Sequence, residues 1–149
     1  MYKSRRQLIV DEAFEWIDTP YLHQQRVKGL QGGVDCAMLA AGVALNVALI
    51  GNEDLKLIPP YSAQMHLHND HSVLTEVLEA FGCKRTEEVK AGNILVFKVG
   101  RVDSHLGILT DETHMVHALG RPYNKVVYQS IGEAWMKRMT KIYKFPGVR

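Results

Sequence analysis

Apolar positions recur along this chain first with the spacing of helices and then with that of strands. Val10, Ala13, Phe14 and Ile17 fall at i, i+3, i+4 and i+7, which predicts one face of an N-terminal helix. Ser4, three residues before Gln7, gives that helix a capping-box start, and Thr19-Pro20 stops it. A polar loop with three glycines follows, from about Tyr21 to Val34. Residues 36–50 are then apolar nearly all round, with Asn46 the one polar interruption. This predicts a central buried helix, capped by Asp35 and ended by Gly51. Residues 52–71 read as irregular, and Ser72 opens a short amphipathic helix through Val73, Leu74, Val77, Leu78 and Phe81, closed by Gly82.

From there the period changes. Residues 94–99, 105–109, 115–119, 126–131 and 141–145 are short β-branched or aromatic runs punctuated by Gly, Asp, Glu and Asn, so each is expected to be a strand. A short helix over 133–139 precedes the last of them. Helices first and strands afterwards predict an α+β fold, with an antiparallel sheet packed on the buried helix. No repeat, low-complexity tract or linker divides residues 1–149, which read as a single domain.

Composition narrows the function classes. Hydrophobic content of 46% and charged content of 23% are those of a globular protein, and a net charge of +2 does not suit a polycationic nucleic-acid binder. No apolar stretch reaches the roughly 18 residues of a membrane span, so membrane insertion is not expected. The N-terminus lacks a secretory h-region before its first acids, so the chain is expected to be made and kept in the cytoplasm or to leave by another route. Two cysteines are too few for a disulfide framework, and Cys83 reads as a small structural residue.

Cys36 is the candidate for chemistry. It stands at a loop-to-helix junction, where free first-turn N–H groups and the helix dipole can lower a thiol pKa from about 8.5 toward neutrality. A buried structural thiol is the alternative reading of the same position. His105 and His117 flank the turn-like stretch 110–113. In a hairpin without a bulge, a loop centred on Asp111 pairs them directly on one sheet face. One imidazole could then orient the other as base for Cys36, the nucleophile–base–orienter arrangement of covalent catalysis. His66, His68, Asp70 and His71 form a second cluster that could bind zinc or nickel. No further Cys/His pair at ligand spacing accompanies it, so a polar loop is expected and no metal or other cofactor is assigned.

Several segments, in order, resemble the NlpC-type cell-wall cysteine peptidases, most closely their phage-tail branch. Thr19-Pro20-Tyr21, His23-Gln24 and Lys28-Gly29 resemble that branch's entry loop, and Gly33-Val34-Asp35-Cys36 the nucleophile motif. Residues 91–97 resemble a following strand, Ser104 to Ile108 the strand carrying the base, and Met115 to Ala118 the strand after it. Tyr143 to Gly147 is similar to the end of the phage branch. Three departures stand out: Ala37-Met38 replaces the usual Ser-Gly, Gln24-Gln25 stands where many members carry two glycines, and Asn93 replaces Asp.

The resemblance implies a papain-like fold, Cys36 as nucleophile, His105 as general base and His117 as its orienter. It implies an oxyanion site built from the Cys36 N–H and either Tyr21 or His23. Asp35 would be a contact for the substrate amine, or simply the helix cap. The implied substrate is the peptide stem of peptidoglycan, cut between D-glutamate and a diamino acid. The implied partners are tail-tip or hub proteins of a phage or phage-like particle, with the protein carried in the tail to open the wall during DNA entry. A latent structural tail component, or an amidase or acyltransferase of the same fold, is the alternative.

Overall fold

A computed structural model describes residues 2–58 and 73–149. Helix α1 spans Arg5–Glu15, and the Ser4 hydroxyl caps it by accepting from the Gln7 N–H at 3.1 Å. Only half of the capping box forms, because the Gln7 side chain donates to Asp11 instead. The buried stripe of α1 is Ile9, Val10, Ala13 and the following Trp16; Phe14, expected inside, lies outside and meets the Tyr128 ring edge-on at 5.2 Å.

A two-stranded ribbon, β1 (Arg26–Val27) and β2 (Gly33–Val34), leads into helix α2, Cys36–Asn46. Eight of its eleven residues are buried, as its composition requires. It ends earlier than Gly51. Ala48 takes the left-handed conformation (φ 62°), and the Leu49 N–H returns to the Ala44 carbonyl at 2.8 Å. Gly51 instead precedes a 3-10 turn at Asn52–Leu57. Gly42 lets α2 approach α1, since a Cβ there would lie 2.5 Å from Trp16 Cζ2.

Helix α3 covers Val73–Ala80, and six strands follow: β3 (Lys84–Thr86), β4 (Ile94–Val99), β5 (Val102–Leu109), β6 (His114–Leu119), β7 (Lys125–Ser130) and β8 (Met139–Lys144), with α4 (Glu133–Met136) before the last. They form one antiparallel sheet in the order β3-β8-β4-β5-β6-β7. The expected α+β architecture is thus present. Its additions are β3 and the small ribbon, which carry no alternation of their own.

Each sheet face has its own core. Ile94, Val96, Leu106, Ile108, Val116 and Ala118 pack with Leu39 and Val43 of α2. Leu95, Phe97, Leu109 and Met115 face the other way, against Trp135 and Met139. Asn93 is fully buried and uses both ends of its amide, accepting from Arg6 at 2.7 Å and donating to the Glu88 carbonyl at 2.9 Å. An aspartate could not make the second bond, which accounts for the Asn at this position.

Candidate active site

Asp35 and Cys36 open α2. The Asp35 carboxylate accepts from the Met38 N–H at 2.9 Å and from the Gln24 N–H at 2.7 Å, while His23 Nδ1 lies 3.7 Å from it. The first is the expected N-cap. The second draws the entry loop onto the helix. Gln24 adopts φ 59° there, a left-handed conformation that suits glycine, and the bond to a buried carboxylate offsets its strain.

The Cys36 sulfur reaches the β5 backbone. Its thiol donates to the Ser104 carbonyl across 3.9 Å, and the N–H groups of Leu106, Ala37 and Cys36 itself are directed at it. These donors favour the thiolate, as expected of a helix N-terminus, but they do not prevail. Burial, with Asp35 beside the sulfur, pushes the thiol up to about 12. Cys36 is 8% exposed and rests as a neutral thiol, contrary to the lowered value expected from the helix terminus alone.

His105 and His117 come together as expected, by a different register. The β5–β6 ladder pairs Ile108 with Val116 and Leu109 with Met115, so the hairpin is centred on Glu112 rather than Asp111. Continuing that register sets His117 across from Gly107, and His105 lies diagonally from it. The shift is two residues, which preserves the face. His105 Nε2 lies 2.8 Å from His117 Nδ1, and His117 Nε2 lies 2.6 Å from Gln129 Oε1. Gln129 carries no signal in the sequence, since its approach depends on the β6–β7 register, which pairs Met115 with Gln129.

Both imidazoles share a side of the sheet with Phe97 and Met115. The Trp135 ring stacks on His105 at 5.1 Å and meets His117 edge-on at 5.3 Å, with Phe97 5.9 Å from His105. Burial, and the neighbouring His117, push His105 down to about 3; burial pushes His117 down to about 4. Both are neutral at pH 7. Cys36 approaches the segment 104–106 from the α2 side, and among the described residues its thiol makes no hydrogen bond to His105. The resting site therefore holds a neutral thiol and a neutral imidazole pair rather than a thiolate–imidazolium pair.

Tyr21 lies near Cys36 and Asp35. Burial, then these two neighbours, push its hydroxyl up to about 12, so it stays a donor. Among the described residues that hydroxyl makes no hydrogen bond, whereas His23 already faces Asp35. Cys83 is buried in the α2-side core, consistent with a structural residue. The histidines at 66, 68 and 71 lie outside the described residues. Among the described residues no three His, Cys, Asp or Glu side chains group to hold a metal, and no helix is long and apolar enough to cross a membrane.

The sequence profile of the NlpC/P60 family matches residues 18–144, a span that contains Tyr21, His23, Asp35, Cys36, His105 and His117. Comparison with curated proteins finds none that matches. Among solved structures, the chain resembles an NLP/P60-family lipoprotein-like protein of Staphylococcus aureus at 20% identity and TM-score 0.62. That match covers 98% of this chain and 43% of the other. It resembles the NlpC/p60 domain of the peptidoglycan hydrolase SagA at 20% identity and TM-score 0.58, over 92% of this chain and 96% of that one. The peptidoglycan hydrolase RipB of Mycobacterium tuberculosis is similar at 19% identity and TM-score 0.55, over 94% and 63%. The chain thus spans less than half of the staphylococcal protein and nearly all of the SagA domain. At these identities the likeness is one of fold.

Proposed function

The chain belongs to the NlpC/P60 family, and from that premise we propose that it is a cysteine peptidase acting on the peptide stem of peptidoglycan. The observation that carries this reading is the placing of Cys36, at the N-terminus of α2, against the very strand that presents His105 to His117. The naming of SagA and RipB as peptidoglycan hydrolases supports the substrate class.

In this mechanism the Cys36 thiol first leaves its resting contact with the Ser104 carbonyl; its sulfur then attacks the stem-peptide carbonyl as its proton passes to His105 Nδ1, the nitrogen left over by the bond to His117. Because the thiol starts neutral, proton transfer accompanies attack rather than preceding it. The tetrahedral oxyanion is held by the Cys36 N–H and the Tyr21 hydroxyl, which is the donor without a competing partner. The C–N bond breaks, the leaving amine takes the proton from His105, and a thioester remains. Water then attacks with His105 again accepting a proton, and the carboxylic acid leaves as Cys36 regains its hydrogen. Asp35 holds α2 and the entry loop in place for these steps; contact with a substrate amine would be a second use of the same carboxylate.

The finer proposal is cleavage between D-glutamate and a diamino acid by a protein carried in a phage or phage-like tail. Its support is the entry loop from Thr19 to Gly29 and the closing Tyr143 to Gly147, both similar to the phage-tail branch. The neutral thiol without a hydrogen bond to His105 favours a second reading, a site that stays latent within an assembly. Digestion of purified muropeptides, with the new amine identified by mass spectrometry, decides between them. Release of a diamino-acid amine by the wild type and none by Cys36→Ala is expected. No cleavage by either would favour latency, and equal cleavage by both would sink the peptidase reading.

A further inference from the structure

We propose that Gln129 is a positioning residue that sets the order of protons along the two histidines and so leaves His105 Nδ1 unprotonated. The inference rests on the reading of His105 as general base. It follows from geometry. A neutral imidazole carries one N–H, so two imidazoles joined by a hydrogen bond can be ordered in only two ways. In one, His117 Nε2–H donates to Gln129, His117 Nδ1 accepts from His105 Nε2–H, and His105 Nδ1 keeps a lone pair. In the other, every proton is reversed and His105 Nδ1 carries hydrogen, which disables it as a base.

The acceptor at the end of the chain selects the first order. The Gln129 amide turns its oxygen rather than its NH2 group to His117, with Oε1 2.6 Å from Nε2, and in this orientation a lone pair on Nε2 would be repelled. Both bonds run diagonally across adjacent ladders. His117 pairs with Val127 and Met115 with Gln129, which puts Gln129 one step along the same face from His117, just as His105 stands to His117 on the other side. At rest the rings carry no second proton near neutral pH, because burial beneath Trp135 and Phe97 disfavours the imidazolium. Proton order is therefore the one variable the site has left, and an uncharged, half-buried acceptor on β7 controls it.

The test uses the full chain with 15N-labelled histidines. Long-range proton–nitrogen correlation spectra read the tautomer of each ring, and muropeptide kinetics read the consequence. The wild type is expected to show Nε2–H tautomers at both His105 and His117. Gln129→Glu, whose carboxylate can only accept, keeps both. Gln129→Lys, whose ammonium can only donate, is expected to reverse both and lower kcat on the order of 100-fold with KM unchanged, the usual effect of losing a general base. Gln129→Leu, which neither donates nor accepts, gives mixed tautomers and guards against misfolding of the Lys variant. Unchanged tautomers in both Gln129→Lys and Gln129→Leu would overturn the proposal, as would better kinetics for Lys than for Glu. Unaltered digestion by His105→Ala would instead remove the peptidase reading, while the tautomer spectra would still decide the role of Gln129.

Discussion

His105 Nε2 bonds His117 Nδ1 at 2.8 Å although the two residues are not opposite each other in the sheet. The residue across from His117 in the continued register is Gly107, and the rings meet diagonally over it. The missing side chain leaves room for the Met115 sulfur beside them. A Cβ on Gly107 would lie 2.6 Å from Met115 Sδ and 3.4 Å from His117 Cβ.

Gly107→Ala is accordingly expected to destabilise the fold by about 1–3 kcal/mol, as overpacking does. The 3.4 Å approach to His117 Cβ is an ordinary contact, but Met115 is fully buried and its sulfur must move, which disturbs the packing beside the imidazoles. Urea unfolding and muropeptide turnover measured together check this. An unchanged midpoint and kcat would show that the diagonal contact does not need the glycine.

The buried rings also set a pH dependence of stability. In the unfolded chain both histidines titrate near the ordinary value of about 6.5, whereas in the fold they are held down to about 3 and about 4. Between those limits the unfolded chain binds more protons. Stability is therefore fully present above about pH 6.5 and is lost as the pH falls toward 4. Melting temperatures from pH 7 to 4.5 should decline, and His105→Gln with His117→Gln should flatten the decline. An equally steep fall in the double variant would assign it to other groups.

Trp135 covers both rings at 5.1 and 5.3 Å. Trp135→Ala admits water to that face and relieves part of the burial that depresses both values. NMR titration should then show both histidines taking up their protons at higher pH than in the wild type, with kcat reduced because His105 loses its stacked support. Titration curves identical to the wild type would place the burial elsewhere.

Asp35 contributes a cap and a charge, and two substitutions separate them. Asp35→Ala removes the acceptors for Met38 and Gln24 and is expected to cost about 1 kcal/mol or more. Asp35→Asn keeps the cap, exchanges the oxygen facing Gln24 for an amide nitrogen, and removes the charge beside Cys36. Thiolate absorbance against pH should then report a lower Cys36 pKa than in the wild type. An unchanged value would leave burial as the sole cause.

The parity of residues 105 and 117 was legible because a strand's side chains alternate with period 2, so any even error in register leaves the face intact. The register itself was not, since the hairpin closes through the Thr110 N–H to His114 carbonyl bond, one position beyond the centre expected from composition. Helix α2 announced itself by its unbroken apolar run, but its end did not, because Ala48 adopts a conformation that glycine usually supplies. Gln129 and Trp135 were silent for another reason. Each acquires its role only when β7 and α4 have folded over the histidine face. The neutral state of Cys36 was likewise hidden, being decided by burial, which no spacing along the chain records.

That neutral state has a bearing beyond catalysis. Peroxide and disulfides react with thiolates and scarcely with thiols. A sulfur kept protonated by its surroundings is thereby shielded from oxidants, and on the proposed mechanism it becomes nucleophilic only as a carbonyl arrives to be attacked.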